Sequence, residues 1–234
     1  MEYDLMNKKD LAKWEHDLPF APMSDLIYEY LKEEIINIRL LPNEKIKESQ
    51  IATELGISRT PVKNALDRLI NEGLLVKEGH KTPFVAEANL KDCLDICYAR
   101  MSIEGDAAFY AAKNASQKQL EVIQYLGKNY KKSLLEGEDP MKAAQIDSKF
   151  HAEIVNASGN PYLIEMHSCI RVRCLRNRCF VQYLIGPAGS AEELIRRSRC
   201  HDALMHALNH GLSRTAKDEI RQDINGMVEM YVLR

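Results

Sequence analysis

The 234-residue sequence predicts a mainly α-helical protein in two parts. The first is a winged helix-turn-helix of three helices plus a β-hairpin. The second is an all-α antiparallel bundle of six or seven helices. Three observations predict this. Apolar residues recur at helical spacing almost throughout. Only one stretch, about Leu74 to Ala86, has strand character, punctuated by Gly73, Gly79 and Pro83. The pattern also changes near Glu87 to Asn89, from short helices and a hairpin to long amphipathic helices. Residues 1–22 are read as an N-terminal extension, 23–87 as the winged domain and 88–234 as the bundle.

Within the extension, Leu11, Trp14 and Leu18 lie at helical spacing, so a short helix and a frayed tail are both open. Ser24 is placed as the cap of a first helix with Ile27, Leu31, Ile35 and Ile38 inward. A second helix runs from about Ser49 to Leu55 and stops at Gly56. Ser58 caps a third, with Val62, Ala65, Leu66, Leu69 and Ile70 on one stripe and Gly73 at its end. Strands Leu74–Val76 and Pro83–Val85 follow. In this geometry the start of the third helix meets the major groove, and Arg59, Thr60, Lys63 and Asn64 offer donors and amides there. Ser49, Ser58, Arg68 and the loop residues Gly79, His80 and Lys81 complete the candidate DNA-binding set.

Charge gives no help. The chain has 32 basic and 34 acidic side chains, and the segment from Ser24 to Glu87 has nine and eleven. Such a domain binds nucleic acid weakly alone, so a homodimer is expected. No apolar run approaches a membrane span and the charged first 22 residues have no hydrophobic signal core. The expected location is cytoplasmic, with no membrane partner. Six cysteines without a C-x-x-C pair read as reduced core residues.

The run Ile51 to Leu66, above all Ser58-Arg59-Thr60-Pro61-Val62, with Arg68-Leu69 and Glu72-Gly73-Leu74, resembles the winged-helix signature of the GntR family of bacterial transcription regulators. The resemblance implies DNA binding. Ile38 and Asn43 stand where the family usually has glycines, and Lys63-Asn64 replaces the usual Arg-Glu. Lysine lacks arginine's flat bidentate fork, so operator preference is expected to differ.

In the bundle, helices are expected at about 90–113, 117–136, 140–157, 161–184, 191–210 and 213–232. On the third, Asp147 and His151 are four residues apart at the edge of an Ala143, Ile146, Phe150, Ile154, Ala157 stripe. His201 lies within a Leu194, Leu204, Met205, Leu208, Leu212 stripe. Asp223 is bracketed by Ala216, Ile220, Met227 and Met230. Buried carboxylates need partners. Either the groups pair with one another, Asp147 with His201 or Asp223 with His151, or they hold one divalent ion such as Zn, Ni or Mn. On the fourth helix Arg171 and Arg178 are expected to flank a Leu163, Ile170, Cys174, Val181 stripe, with Arg176 opposite. Arg171, Arg178, His167 and Arg100 are candidate contacts for a small carboxylate effector.

Arg100-x-x-x-Glu104, Asp147-x-x-Phe150-His151, Asn160-Pro161 and His201 with Ala207-Leu208 resemble the ligand-binding FCD domain of the FadR branch of GntR regulators. In many of those domains one Asp and three His bind a metal below an effector pocket. Asp147, His151 and His201 match three, while Asp223 stands at the last histidine's place. The implied function is a ligand-responsive regulator, expected to be a repressor, acting as a homodimer on a palindromic operator. Alternatives are a metal-free regulator whose bundle only dimerises and a metal-dependent enzyme. No clear general base or nucleophile supports the enzyme.

Overall fold

The computed structural model describes residues 6, 8–137, 139–185 and 191–232. The chain divides into two compact units, Met1–Glu87 and Ala88–Arg234.

In the first unit, α1 (Lys8–Asp17) settles the alternative left open for the extension. It packs on α2 (Met23–Ile36) and α3 (Glu48–Leu55), with Leu11 buried and Trp14 half-buried. Ser24 does not cap α2. Pro22 precedes the helix in extended backbone (φ −56°, ψ 147°), its carbonyl accepts from Asp25 N at 2.8 Å, and Ser24 falls inside the first turn. Ile27, Leu31 and Ile35 are buried as expected, and Ile38 buries its side chain beyond the helix end. Gly56 ends α3 in left-handed backbone (φ +70°), which glycine adopts without steric cost. Ser58 is the residue before α4 (Arg59–Asn71), although its hydroxyl makes no capping hydrogen bond. Val62, Ala65, Leu66 and Leu69 form the buried side of α4, and Ile70 is half-buried.

Strands β1 (Leu75–Val76) and β2 (Phe84–Val85) pair antiparallel, Leu75 opposite Val85. A feature beyond the sequence reading is a bridge from Lys45 to Phe84. Ile46 N donates to the Pro83 carbonyl at 2.9 Å and Val85 N to the Glu44 carbonyl at 2.8 Å, so residues 43–46 extend the sheet.

Among the described residues the second unit has six helices: α5 (Leu90–Asn114), α6 (Gln117–Leu135), α7 (Pro140–Ala157), α8 (Pro161–Ile185), α9 (Ala191–Asn209) and α10 (Ser213–Val232). Side chains cap the starts of α5, α6 and α7. Asn89 accepts from Asp92 N, and Ser116 forms a reciprocal capping box with Gln119. The core joins Phe150 and Ile154 of α7 to Leu204 and Leu208 of α9 and Ile220 and Ile224 of α10. Gly127 lets α6 approach closely, since a Cβ there would lie 2.6 Å from Met205 Sδ and 3.2 Å from Phe150 Cε2. Leu212, expected on the α9 stripe, is past the helix end and exposed. The Val181, Leu194, Cys200 and Met230 side chains lie outside the described residues. No helix among the described residues is long and apolar enough to cross a membrane.

Candidate nucleic-acid interface and metal centre

The first site is the start of α4. Because Val62, Ala65, Leu66 and Leu69 anchor one side, the opposite side must face solvent, and Arg59, Thr60, Lys63 and Asn64 are all exposed there. Ser49 and Ser58 are exposed close by in sequence, as are Gly79, His80 and Lys81 in the hairpin loop. Lys81 pairs with Glu78 at 2.9 Å. Arg68 differs from this group. Its guanidinium lies 3.5 Å from the Tyr28 ring centroid and within 3.5 Å of Asp25 and 3.8 Å of Glu72. Tyr28 in turn donates to Glu72 at 2.7 Å. Arg68 therefore also ties α4 to α2, with its side chain half exposed.

The second site is a cluster of charge inside the bundle. Successive turns of α7 carry Asp147 and His151, α9 brings His201 and α10 brings Asp223, and one donor atom from each lies within 4.8 Å of all the others. His151 Nε2 is 3.0 Å from Asp223 Oδ2 and 3.6 Å from Asp147 Oδ1. His201 Nε2 is 3.1 Å from Asp147 Oδ1 and 3.7 Å from Asp223 Oδ1. These contacts are close but misaligned, so both Nε2 atoms are buried without a hydrogen-bond partner. That is an unfavourable end state for a purely hydrogen-bonded core. It suits a shared ion, because two donors about 2.1 Å from one metal stand roughly 3.0–3.4 Å apart. The residues present therefore fit a divalent metal with two imidazoles and two carboxylates.

A further ring of residues fixes this geometry. His151 Nδ1 donates to Glu104 Oε2 at 2.6 Å, which leaves Nε2 facing the carboxylates. Glu104 also accepts from Arg100 Nε at 2.7 Å, and Arg178 Nε stands 2.7 Å from Asp147 Oδ2. The His201 ring is stacked on Phe150 (centroids 4.0 Å, 19°) and tilted against Tyr130 at 4.6 Å. Glu104, Phe150 and Tyr130 are thus part of the site beyond the candidate ligands and effector contacts read from the sequence. The sequence signal for Glu104 is its place one turn beyond Arg100 on a helix rich in buried small residues.

The electrostatics follow from this packing. Burial and the Arg178 charge oppose protonation of His151, yet Glu104 and Asp147 outweigh them and raise its pKa to about 10. His201 is also raised, with burial opposed by the Asp223 charge and by both carboxylates. Burial works against ionisation of Asp147, but Arg178 and His151 hold it well below the usual carboxylate range. Asp223 is lowered against burial by His201 and His151. His167, 3.7 Å from Glu104, is lowered by burial to about 4 and is neutral near pH 7.

Of the candidate effector contacts, Arg100, His167 and Arg178 are buried around the cluster. Arg171 is exposed and Arg176 is buried, the reverse of the expected arrangement. The middle of α8 is enclosed on more than one side, with Cys174, Arg176, Asn177, Arg178 and Cys179 all buried, so a single-stripe reading picks the wrong arginine.

Comparison with known proteins decides the family. Residues 95–226, more than half of the chain, match the FCD domain, and residues 23–85 match bacterial regulatory proteins of the gntR family. The chain belongs to the GntR family, with an FCD domain. It is 27% identical over 136 residues to the HTH-type transcriptional regulator YdhC of Bacillus subtilis, covering 58% of this chain and 61% of that one. It is 28% identical over 145 residues to the HTH-type transcriptional repressor GlaR of Escherichia coli, covering 59% and 64%. The aligned stretch thus spans about three fifths of these relatives. The fold resembles that of E. coli McbR/YncC, with a TM-score of 0.74 at 21% identity over 92% of this chain and 99% of that one.

Membership in the GntR family gives the two missing glycines their meaning. Ile38 (φ +57°) and Asn43 (φ +68°) are the non-glycine residues with positive φ among those described. The left-handed backbone that suits glycine is retained here with side chains attached.

Proposed function

We propose that this GntR-family chain is a DNA-binding transcription regulator of the FadR branch, acting as a repressor and binding a palindromic operator as a homodimer. The observation that carries the reading is the exposed start of α4, where Arg59, Thr60, Lys63 and Asn64 face outward from a fully anchored helix. Two copies related by a two-fold axis would place two such helices in successive major grooves. The modest charge of this unit is consistent with a need for pairing.

The helical unit senses. Asp147, His151, His201 and Asp223 hold a divalent ion of the Zn, Ni or Mn class, and Glu104 orients the His151 ring. When bound, the ion supplies Lewis-acid attraction for an oxygen of a small carboxylate effector. Arg100 and Arg178 offer positive charge beside the same cluster, and neutral His167 offers a hydrogen-bonding edge. Binding there acts on DNA only through its difference in affinity between operator-competent and incompetent states.

Elemental analysis of untagged protein tests the sensing half. Near-stoichiometric metal is expected in the wild type and its loss in Asp147→Ala and His201→Ala. Metal that survives both substitutions overturns the ligand assignment. A folded wild-type protein that takes up no divalent ion would favour a bundle that only dimerises.

A further inference from the structure

We propose that His206 and His210, at the end of α9, form a surface chelate for a divalent transition-metal ion, independent of the buried cluster. The chain has seven histidines. His151, His167 and His201 are buried, while His16 and His80 are exposed and distant in sequence from any other imidazole. Only His206 and His210 stand one helical turn apart with both side chains in solvent. Their ring centroids are 4.2 Å apart with planes inclined by 33°, so one ring lies tilted over the other and both are within reach of one ion.

The local hydrogen bonding prepares the pair. His210 Nδ1 lies 2.9 Å from the His206 carbonyl, which can only accept, so the ring proton sits on Nδ1. Nε2 is then left as a free lone pair in solvent, the tautomer that metal-binding imidazoles use. The backbone beneath is held firmly. Gly211 turns into left-handed backbone (φ +67°), and Leu212 N donates to the Ala207 carbonyl at 2.9 Å. Between the two histidines, Asn209 accepts from Gln124 of α6 at 2.9 Å and donates to the Met205 carbonyl at 2.8 Å.

Charge also favours a cation here, since the last turn of a helix carries the negative pole of its dipole. Two imidazoles and water suit copper(II), nickel(II) or zinc(II), with copper held most tightly. Hard ions such as magnesium are not expected to bind.

Chromatography of the untagged full-length protein on immobilised copper(II) and nickel(II) resins tests this, because a resin-bound ion cannot reach the buried cluster. The wild type is expected to elute at several-fold higher imidazole than His206→Gln or His210→Gln. Both single variants should elute with the double variant, at a level set by His16 and His80. Unchanged elution of either single variant, with circular dichroism matching the wild type, overturns the chelate. Loss in only one variant likewise overturns it, since that would be one histidine acting alone.

Discussion

The two units use the same kinds of side chain in opposite ways. At the start of α4, Arg59, Lys63 and Asn64 stand in water on a helix anchored by its other face. In the bundle, Asp147, His151, His201, Glu104, Arg100 and Arg178 occupy the interior. A solvated cation keeps its hydration until a partner arrives, so removing it changes binding and leaves the fold alone. A buried ion is stable only while its neighbours balance it, so function and stability cannot be separated there.

The sharpest break of this contrast is Asp147→Ala in metal-free protein. It leaves buried Arg178 without its carboxylate and removes one of the two carboxylates that face His151 and His201, and a loss of about 3–5 kcal/mol is expected in urea unfolding. A loss below about 1 kcal/mol would mean that the cluster is wetter than its burial indicates.

The pH dependence of the bundle comes next. An unfolded histidine titrates near 6.5, whereas His151 in the fold is raised to about 10. Its contribution is therefore fully present below about pH 6.5 and disappears as pH rises towards 10. Metal-free protein should lose stability across that window, measured by denaturation at a series of pH values. Metal-loaded protein should not, because ligating imidazoles are already neutral. Equal slopes for both forms would count against His151 as a ligand.

For the winged unit, Arg59→Ala should weaken specific operator binding by about 1–3 kcal/mol if the side chain reaches a base edge, with unfolding unchanged. Arg68→Ala should do the reverse, costing stability through the lost Tyr28 and Asp25 contacts while affecting operator binding less. Parallel gel-shift and denaturation measurements separate the two. The smallest effect is expected at Asn43→Gly, where relief of the positive φ stabilises by about 0.5 kcal/mol. Ile38→Gly should not gain, because it also removes a buried side chain.

The sequence was most legible where one physical cause acts alone. Helix lengths in the bundle follow from caps and stripes, and the expected spans differ from α5–α10 by at most a residue or two. The metal candidates were visible because Asp147, His151, His201 and Asp223 interrupt otherwise apolar faces. Legibility failed where two causes compete. Pro22 offers a ready helix entry and displaces Ser24 as the cap. Residues 43–46 join the sheet through backbone bonds, with too few residues to show an alternating pattern. On α8, burial on several sides defeats a helical wheel, which is why Arg176 and Arg171 exchange places. Arg68 reads as a groove cation from spacing, and only tertiary contact reveals the Tyr28 ring beneath it.

Glu104 stands one step behind the converging donors, gripping His151 from the far side while Arg100 grips it in turn. A change at Glu104 would therefore alter the pull on the His151 ring, and with it the grip on the ion proposed for this cluster, while leaving all four converging side chains in place.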